Sequence, residues 1–339
     1  VPAFTVHRNC ASGMQAISSA GVRIRAGEGN FYIAGGVESM SNIPLLMNSK
    51  MTGFFERMMR AKTMGQKLAV FASFRPSFIS PVVGLTLGLT DPTCGLIMGL
   101  TAENIAKDFG ITRKEQDEFS ASSHQKAERA TKDGTFAQEI IPIYGDKLKG
   151  TFVSTDEGIR EGQTAEKLAK LKPYFEKPHG TVTVGNSSQI TDGACMLALT
   201  SESKAKEMGI EVLGYIKDYA YAGCDSTRMG LGPVFSTHKL FKQTGMNTKD
   251  IGLFELNEAF AAQVLGCMRA FESKAFFDKN LGGDAPLGSI NPELLNVNGG
   301  AIALGHPVGM TGARIILHIL KEMKRRIVAT GLASLCVGG

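Results

Sequence analysis

Four side chains in this sequence are of types that could do acyl chemistry. Cys10 lies in Asn9-Cys10-Ala11-Ser12-Gly13, where a helical pattern begins. A thiol at a helix N-terminus meets unpaired N–H groups and the positive end of the helix dipole, which would lower its pKa. His306 lies between Gly305 and Pro307, and a neutral imidazole on such a rigid turn could take the proton of that thiol. Gly309 and Gly312 would let a ligand approach the backbone there. Cys336 opens Cys-Val-Gly-Gly, a second thiol at a strand end whose outward N–H groups could form an oxyanion hole. Asn257, in Asn-Glu-Ala-Phe, could orient a water or donate to an oxyanion. Each residue alone also fits a plainer role: a buried small hydrophobe for either cysteine, a structural loop histidine, a helix N-cap for the asparagine.

The elements that must position these residues can be read from periodicity. Residues 3–7 alternate like a short strand, and Met14, Ile17, Gly21 and Ile24 recur at helical spacing. Phe31 to Ala34 reads as a buried strand stopped by Gly35-Gly36. The chain's end repeats this plan. Ile315, Ile316, Ile319, Leu320 and Met323 form a helical stripe, Lys324 to Arg326 suit its C-terminus, and a strand runs from Ile327 into Cys336-Val337-Gly338-Gly339. Laying Cys10–Met14 on His306–Met310 makes Cys10 and His306 equivalent, so two αβ units back to back would aim both at one cavity. Between them the sequence predicts helices at 101–109 and 113–132, the second with a Thr112/Glu115 capping box. A surface loop region is expected over 145–180 and strands at 181–184 and 251–256.

Composition excludes several classes. With 43% hydrophobic and 20% charged residues, the 339-residue chain is neither disordered nor collagenous despite its 40 glycines. A net charge of +5 without a dense basic stripe, and no tryptophan, argue against nucleic acid. The six cysteines form no CxxC pair, so neither a zinc ribbon nor any other metal site is expected, and they read as reduced thiols. The longest uncharged stretch between 64 and 100 runs from Pro76 to Thr90, too short for a membrane span. Between Met51 and Leu68, Met51, Phe54, Phe55, Met58 and Gly65 share one helical face, with Lys50, Arg57, Arg60 and Lys67 opposite. Such a basic amphipathic helix suits an anionic membrane surface, or else the protein's own core.

Taken together and in this order, NCASG, NEAF, GHPVG and CVGG resemble the thiolase family over essentially the whole chain. The His7-Arg8-Asn9-Cys10 lead-in, the Met/Phe-rich insertion and the long 273–295 stretch are most similar to 3-ketoacyl-CoA thiolase subunits of fatty-acid oxidation complexes. The resemblance implies an α/β fold: duplicated βαβαβ halves in α-β-α-β-α layers, with a large loop-domain insertion in the first half. It divides the chain into an N-terminal half (1–40 and 191–211), an inserted loop domain (41–190) and a C-terminal half (212–339). It also implies a fragment cut at both ends, lacking a strand-helix-strand before Cys10 and a closing strand after CVGG.

The resemblance also implies roles. Cys10 is the nucleophile that becomes acylated, His306 activates it, and Cys336 exchanges a proton with the acetyl-CoA α-carbon. Asn257 holds a water in one oxyanion hole; the N–H groups of Cys10 and Gly338 form the other. Arg160 and Ser188 match positions that touch coenzyme A, and Met98, Phe175, Ala259 and Phe260 match pocket walls. Ile97 stands where many short-chain thiolases have histidine, which makes the pocket more apolar. The implied reaction is reversible thiolysis of 3-ketoacyl-CoA in β-oxidation, with coenzyme A as substrate and no cofactor. The alternatives are a biosynthetic acetoacetyl-CoA thiolase, a ketoacyl synthase (against which Cys336 argues) and a thiolase-like lipid-binding protein. Implied partners are a homodimer or larger assembly, a hydratase/dehydrogenase subunit and a membrane surface touching 50–68. The implied location is cytoplasmic in a bacterium and mitochondrial in a eukaryote.

Overall fold

The computed structural model describes residues 1–146 and 150–338. Residues 147–149 of the expected 145–180 loop, and Gly339, lie outside the described residues. A central pair of helices, α1 (Ser12–Arg25) and the long helix Val308–Arg326, crosses between two sheets. One sheet pairs β1 (Phe31–Ser39) with the strand Asp192–Thr200, antiparallel from Phe31↔Thr200 to Ser39↔Asp192. The other pairs Leu253–Leu256 with Gly331–Ser334 in parallel. In chain order the remaining helices that matter here are α2 (Ser49–Arg60), α3 (Met64–Ala72), α4 (Met98–Asp108), α5 (Arg113–Lys132), α6 (Gly232–Thr244), α7 (Ala261–Glu272) and α8, the long helix Val308–Arg326. The strands 192–200, 253–256 and 331–334 are β2, β3 and β4.

The core lies where α4, α7 and β3 meet. Ile105, Ala262, Val264 and Cys267 are fully buried there, together with Phe271 and Phe277. The helical stripe read on α8 is real: Ile315 and Ile319 are buried, and Lys324, Arg325 and Arg326 occupy its last turn. The Thr112/Glu115 capping box of α5 forms as its spacing predicts. Helix α4 begins at Met98, three residues before the predicted start.

Other expectations need correcting. Residues 3–7 are coil with no strand partner, exposed apart from the half-buried Val6; the Phe4 ring instead lies under the Arg23 guanidinium, 4.7 Å from its carbon. β1 is not buried on both faces, because Ile33 and Val37 point to solvent. Residues 181–184 form no strand: the buried Glu103 carboxylate takes the N–H groups of Thr181 and Val182, so their hydrogen bonds go to a side chain. The last strand starts at Gly331 because Ile327 adopts a left-handed cap (φ 56°) and ends α8 there; it stops at Ser334, before Cys336.

The single amphipathic helix expected over 51–68 is two. Helix α2 is capped by Asn48, Ala61 is extended, and Thr63 and Gln66 form a capping box that restarts the chain as α3. Phe54 turns inward onto Phe74 and Phe78, while Met59, Met64, Leu68 and Phe71 are exposed. No helix among the described residues is long and apolar enough to cross a membrane.

Candidate active site

The chain segments that carry the four motifs meet at the ends of β3 and β4 and the N-termini of α1 and α8. A tight turn, Asn9–Ala11, feeds α1 and presents Cys10 half-buried. Asn9 holds a left-handed backbone (φ 41°), and its Nδ2 donates to the Gly338 carbonyl at 2.5 Å. This ties the N-terminal motif to CVGG. The N–H groups of Gly338 and of Cys10 itself point at the Cys10 sulfur. Both donors favour the thiolate form of Cys10. A Cβ on Gly338 would meet the Met98 sulfur, so a larger residue there would have to push the Met98 side chain aside.

The sequence expectation of a depressed Cys10 pKa is not met. Burial pushes the thiol up and outweighs the two N–H donors, and the nearby Glu38 carboxylate adds to the rise. Glu38 is itself fixed by the N–H of Gly309 in the first turn of α8, 3.0 Å from its Oε2. Cys336 is not an exposed thiol but is almost wholly buried, and its pKa is raised well above the ordinary value by burial and by the neighbouring Cys10. Both thiols are thus protonated at rest, and a nucleophile there needs a base.

His306 supplies a neutral imidazole. Burial, with a smaller push from the Arg314 charge, lowers its pKa to about 4. Its Nε2 lies 3.4 Å from Asn257 Nδ2, and its Nδ1 lies 2.7 Å from Thr311 Oγ1. Asn257 is not the N-cap of α7, which starts four residues later with Phe260 in the cap position. Instead its N–H donates to the Ser334 carbonyl at 3.0 Å, which sets the NEAF turn across the end of β4. Its Oδ1 is buried with no protein partner, as suits an amide oxygen that accepts from a water.

The expected pocket walls gather around this point. Met98, Ala259, Phe260 and Cys336 belong to one buried cluster, with Phe175 packed on it. Phe175 meets Phe260 edge to face at 6.0 Å. The Phe175 ring covers Gly99 so closely that a Cβ there would overlap it. Ser188 donates its N–H to the Ala259 carbonyl at 2.9 Å. Arg160 is exposed, and its backbone N–H donates to His124 Nδ1 at 3.1 Å. Between them, the Gln189 side chain donates to the Gly158 and Ile302 carbonyls at 2.8 and 3.0 Å, joining the Arg160 segment to the chain that leads into His306.

Several residues that build the site escaped sequence reasoning. Glu258, buried beside Asn257, accepts from Ser123 Oγ, Asn296 Nδ2 and the Ile302 N–H, so one carboxylate holds both NEAF and the approach to His306. Thr311 and His124 were equally unread. A hydroxyl five residues after a histidine, across the first helical turn, is the signal that could have found Thr311. Among the described residues no group of three or more His, Cys, Asp or Glu is placed to hold a metal ion.

Residues 1–203 match the family "Thiolase, N-terminal domain" and residues 210–339 match "Thiolase, C-terminal domain". The chain belongs to the thiolase family. A "Probable acetyl-CoA acyltransferase" of Staphylococcus aureus (strain COL) is 42% identical over 341 residues, covering 100% of this chain and 77% of that protein. The crystal structure of the Bacillus anthracis acetyl-CoA acetyltransferase superposes with a TM-score of 0.83 at 38% identity, covering 99% of this chain and 76% of that one. Human mitochondrial 3-ketoacyl-CoA thiolase in complex with CoA gives a TM-score of 0.82 at 34% identity, over 100% and 75% of the two chains. The fold of this thiolase is therefore the α/β thiolase fold, and its relatives make it an acyl-CoA acyltransferase.

Proposed function

We propose that this thiolase cleaves 3-ketoacyl-CoA with coenzyme A in the degradative direction of fatty-acid oxidation. The observation that carries the reading is the pair of N–H donors, from Cys10 and Gly338, aimed at the sulfur of a thiol that has a second thiol, Cys336, beside it. A soft nucleophile with an adjacent acid and a preformed oxyanion hole is what carbon–carbon cleavage of a thioester asks for.

In this reading His306 takes the Cys10 proton, and the thiolate attacks the 3-keto carbon. The bond between C2 and C3 breaks, its electron pair goes to C2 as the acetyl-CoA enolate, and Cys336 protonates that carbon. The acyl group stays on Cys10 as a thioester until a second coenzyme A attacks it and restores the thiol. Asn257 Oδ1 would hold the water of the enolate's oxyanion hole, and Arg160 and Ser188 would line the coenzyme A path. The cycle calls for no cofactor beyond coenzyme A as substrate. Met98, Phe175 and Phe260, with Ile97 beside them, favour acyl chains longer than acetoacetyl. The biosynthetic acetoacetyl-CoA thiolase reading predicts the opposite preference.

Thiolysis of acetoacetyl-CoA and of a long-chain 3-ketoacyl-CoA, measured side by side, tests this. Activity on the longer substrate with a covalent acyl adduct on Cys10, abolished in Cys10→Ala, is expected. Cleavage of acetoacetyl-CoA alone would favour the biosynthetic reading, and no cleavage of either would end both. A homodimer or larger assembly and a hydratase/dehydrogenase partner belong to the same reading.

A peripheral lipid contact through 50–68 is favoured by one observation. Exposed Met59, Met64 and Leu68 on α2 and α3 stand among Lys62, Arg60 and Lys67. Sedimentation with vesicles of anionic lipid, and not with neutral ones, is the expected result.

A further inference from the structure

We propose that Thr311 is a positioning residue that fixes the tautomer of His306, keeping the ring proton on Nδ1 and the lone pair on Nε2. The inference rests on the reading of His306 as the base that takes the Cys10 proton. Thr311 Oγ1 lies 2.7 Å from His306 Nδ1 and 3.0 Å from the Pro307 carbonyl oxygen. Thr311 has no exposed surface, so no bulk water competes for its hydroxyl. A hydroxyl has one hydrogen, and a carbonyl can only accept. With that hydrogen on Pro307 O, the threonine oxygen can only accept from the ring, so Nδ1 carries a hydrogen.

The other side of the ring makes the same demand. Asn257 Nδ2, 3.4 Å from His306 Nε2, can only donate, so with the amide in this orientation Nε2 offers its lone pair. Two independent neighbours thus select one tautomer. The geometry is stiff as well. Thr311 sits one helical turn after Pro307, and its backbone N–H also donates to Pro307 O at 3.0 Å. That backbone bond holds the Thr311 Cα in the first turn of α8, and the hydroxyl bond to the same carbonyl favours the rotamer that faces the ring. When Nε2 receives a proton, the Nδ1–H bond to Thr311 persists and holds the imidazolium plane. The role belongs to a second tier of the site: Thr311 touches the ring, not the substrate.

Thr311→Val keeps the branched shape and removes the hydroxyl; Thr311→Ser keeps the hydroxyl. Nitrogen-15 NMR of the histidine rings in the full chain should show His306 Nδ1 in the protonated range in the wild type and in Thr311→Ser, and a mixture of tautomers in Thr311→Val. The kcat of thiolysis should fall on the order of 10- to 100-fold in Thr311→Val, below the roughly 10⁴-fold cost of a fully wrong tautomer in a serine-protease triad. KM for coenzyme A should stay within about twofold, and Thr311→Ser should recover most of kcat. A wild-type ring protonated on Nε2, or a Thr311→Val protein with unchanged ring signals and unchanged kcat, overturns the proposal. The ring spectrum is read without turnover. A wild type that cleaves no 3-ketoacyl-CoA would end the proposed reaction, and the NMR would still decide the tautomer. If Thr311→Val fails to fold, the wild-type and Thr311→Ser spectra decide it alone.

Discussion

Gly13 on α1 and Gly312 on α8 lie face to face where the two central helices cross. A Cβ on Gly13 would sit 2.5 Å from the amide nitrogen of Ala313, and one on Gly312 would sit 2.7 Å from the amide nitrogen of Met14. Both obstacles are backbone, so no rotamer change relieves them. Alanine normally gains up to about 1 kcal/mol over glycine inside a helix. Overpacking at a backbone contact costs about 1–3 kcal/mol and outweighs that gain. Gly312→Ala should therefore lower the urea midpoint, and because α1 and α8 carry Cys10 and His306 at their N-termini, it should also lower Cys10 acylation. A midpoint at or above the wild type would show that the helices can separate freely.

The Cys10 thiol is raised above its ordinary value of 9.0, with burial the largest cause and the Glu38 charge an added one. Alkylation of Cys10 by iodoacetamide should keep rising as pH passes 9, with no plateau below it. Removing the negative charge in Glu38→Gln should speed alkylation at pH 7.5 by a few-fold, since the thiolate then meets less repulsion. A plateau near pH 7 in the wild type would mean that the helix N-terminus outweighs burial. His306, neutral down to about pH 4, places any acid limb it causes near that value rather than near 6.5.

Cys336 is buried against the Cys10 segment, and its proton is the one assigned to the α-carbon. Cys336→Ala should suppress exchange of the acetyl-CoA methyl protons with deuterated solvent by on the order of 10²-fold or more, the usual contribution of a positioned acid/base. Acylation of Cys10 by an acyl-CoA should survive, because it needs the nucleophile and its base only. Mass spectrometry of the intact protein reads the second quantity, and NMR of the methyl group reads the first. Exchange at the wild-type rate would leave Cys336 a packing residue.

Much of this arrangement was legible in residue types and spacing, because helices and turn chemistry are local. The α5 capping box and the α8 stripe are set by residues three or four apart, and both appear as read. Cys10, His306 and Cys336 stand in short, glycine-rich settings that draw the eye, whereas Asn257 is marked only by its place in NEAF. The strand reading at 181–184 failed because the deciding partner, Glu103, lies far away in sequence, and nothing local tells a β ladder from a carboxylate clamp. The break between α2 and α3 was local and legible, since Thr63 and Gln66 are spaced as a capping box; the apolar period across 51–68 masked it. The Cys10 pKa was misread for a different reason. One N–H group favouring the thiolate belongs to the Cys10 turn and the other to Gly338, more than 300 positions away, and the burial that outweighs both exists only once the chain has folded around the turn.

His124 accepts the backbone N–H of Arg160 on its Nδ1, and burial holds its pKa down to about 4. A protonated ring could not accept that bond and would face the Arg160 charge. An unfolded histidine takes its proton near 6.5 and the folded one only near 4. The stability tied to this neutral ring is therefore complete above pH 6.5 and is lost as pH falls toward 4, by at most about 3 kcal/mol. His124→Gln offers an amide oxygen to the same N–H but takes up no proton. The loss of Tm between pH 7.5 and 5 should be smaller in this variant than in the wild type. His124→Ala, which leaves the Arg160 N–H without a partner, should raise KM for coenzyme A several-fold with kcat little changed. A kcat loss at constant KM would place His124 in the chemistry instead of under the Arg160 segment.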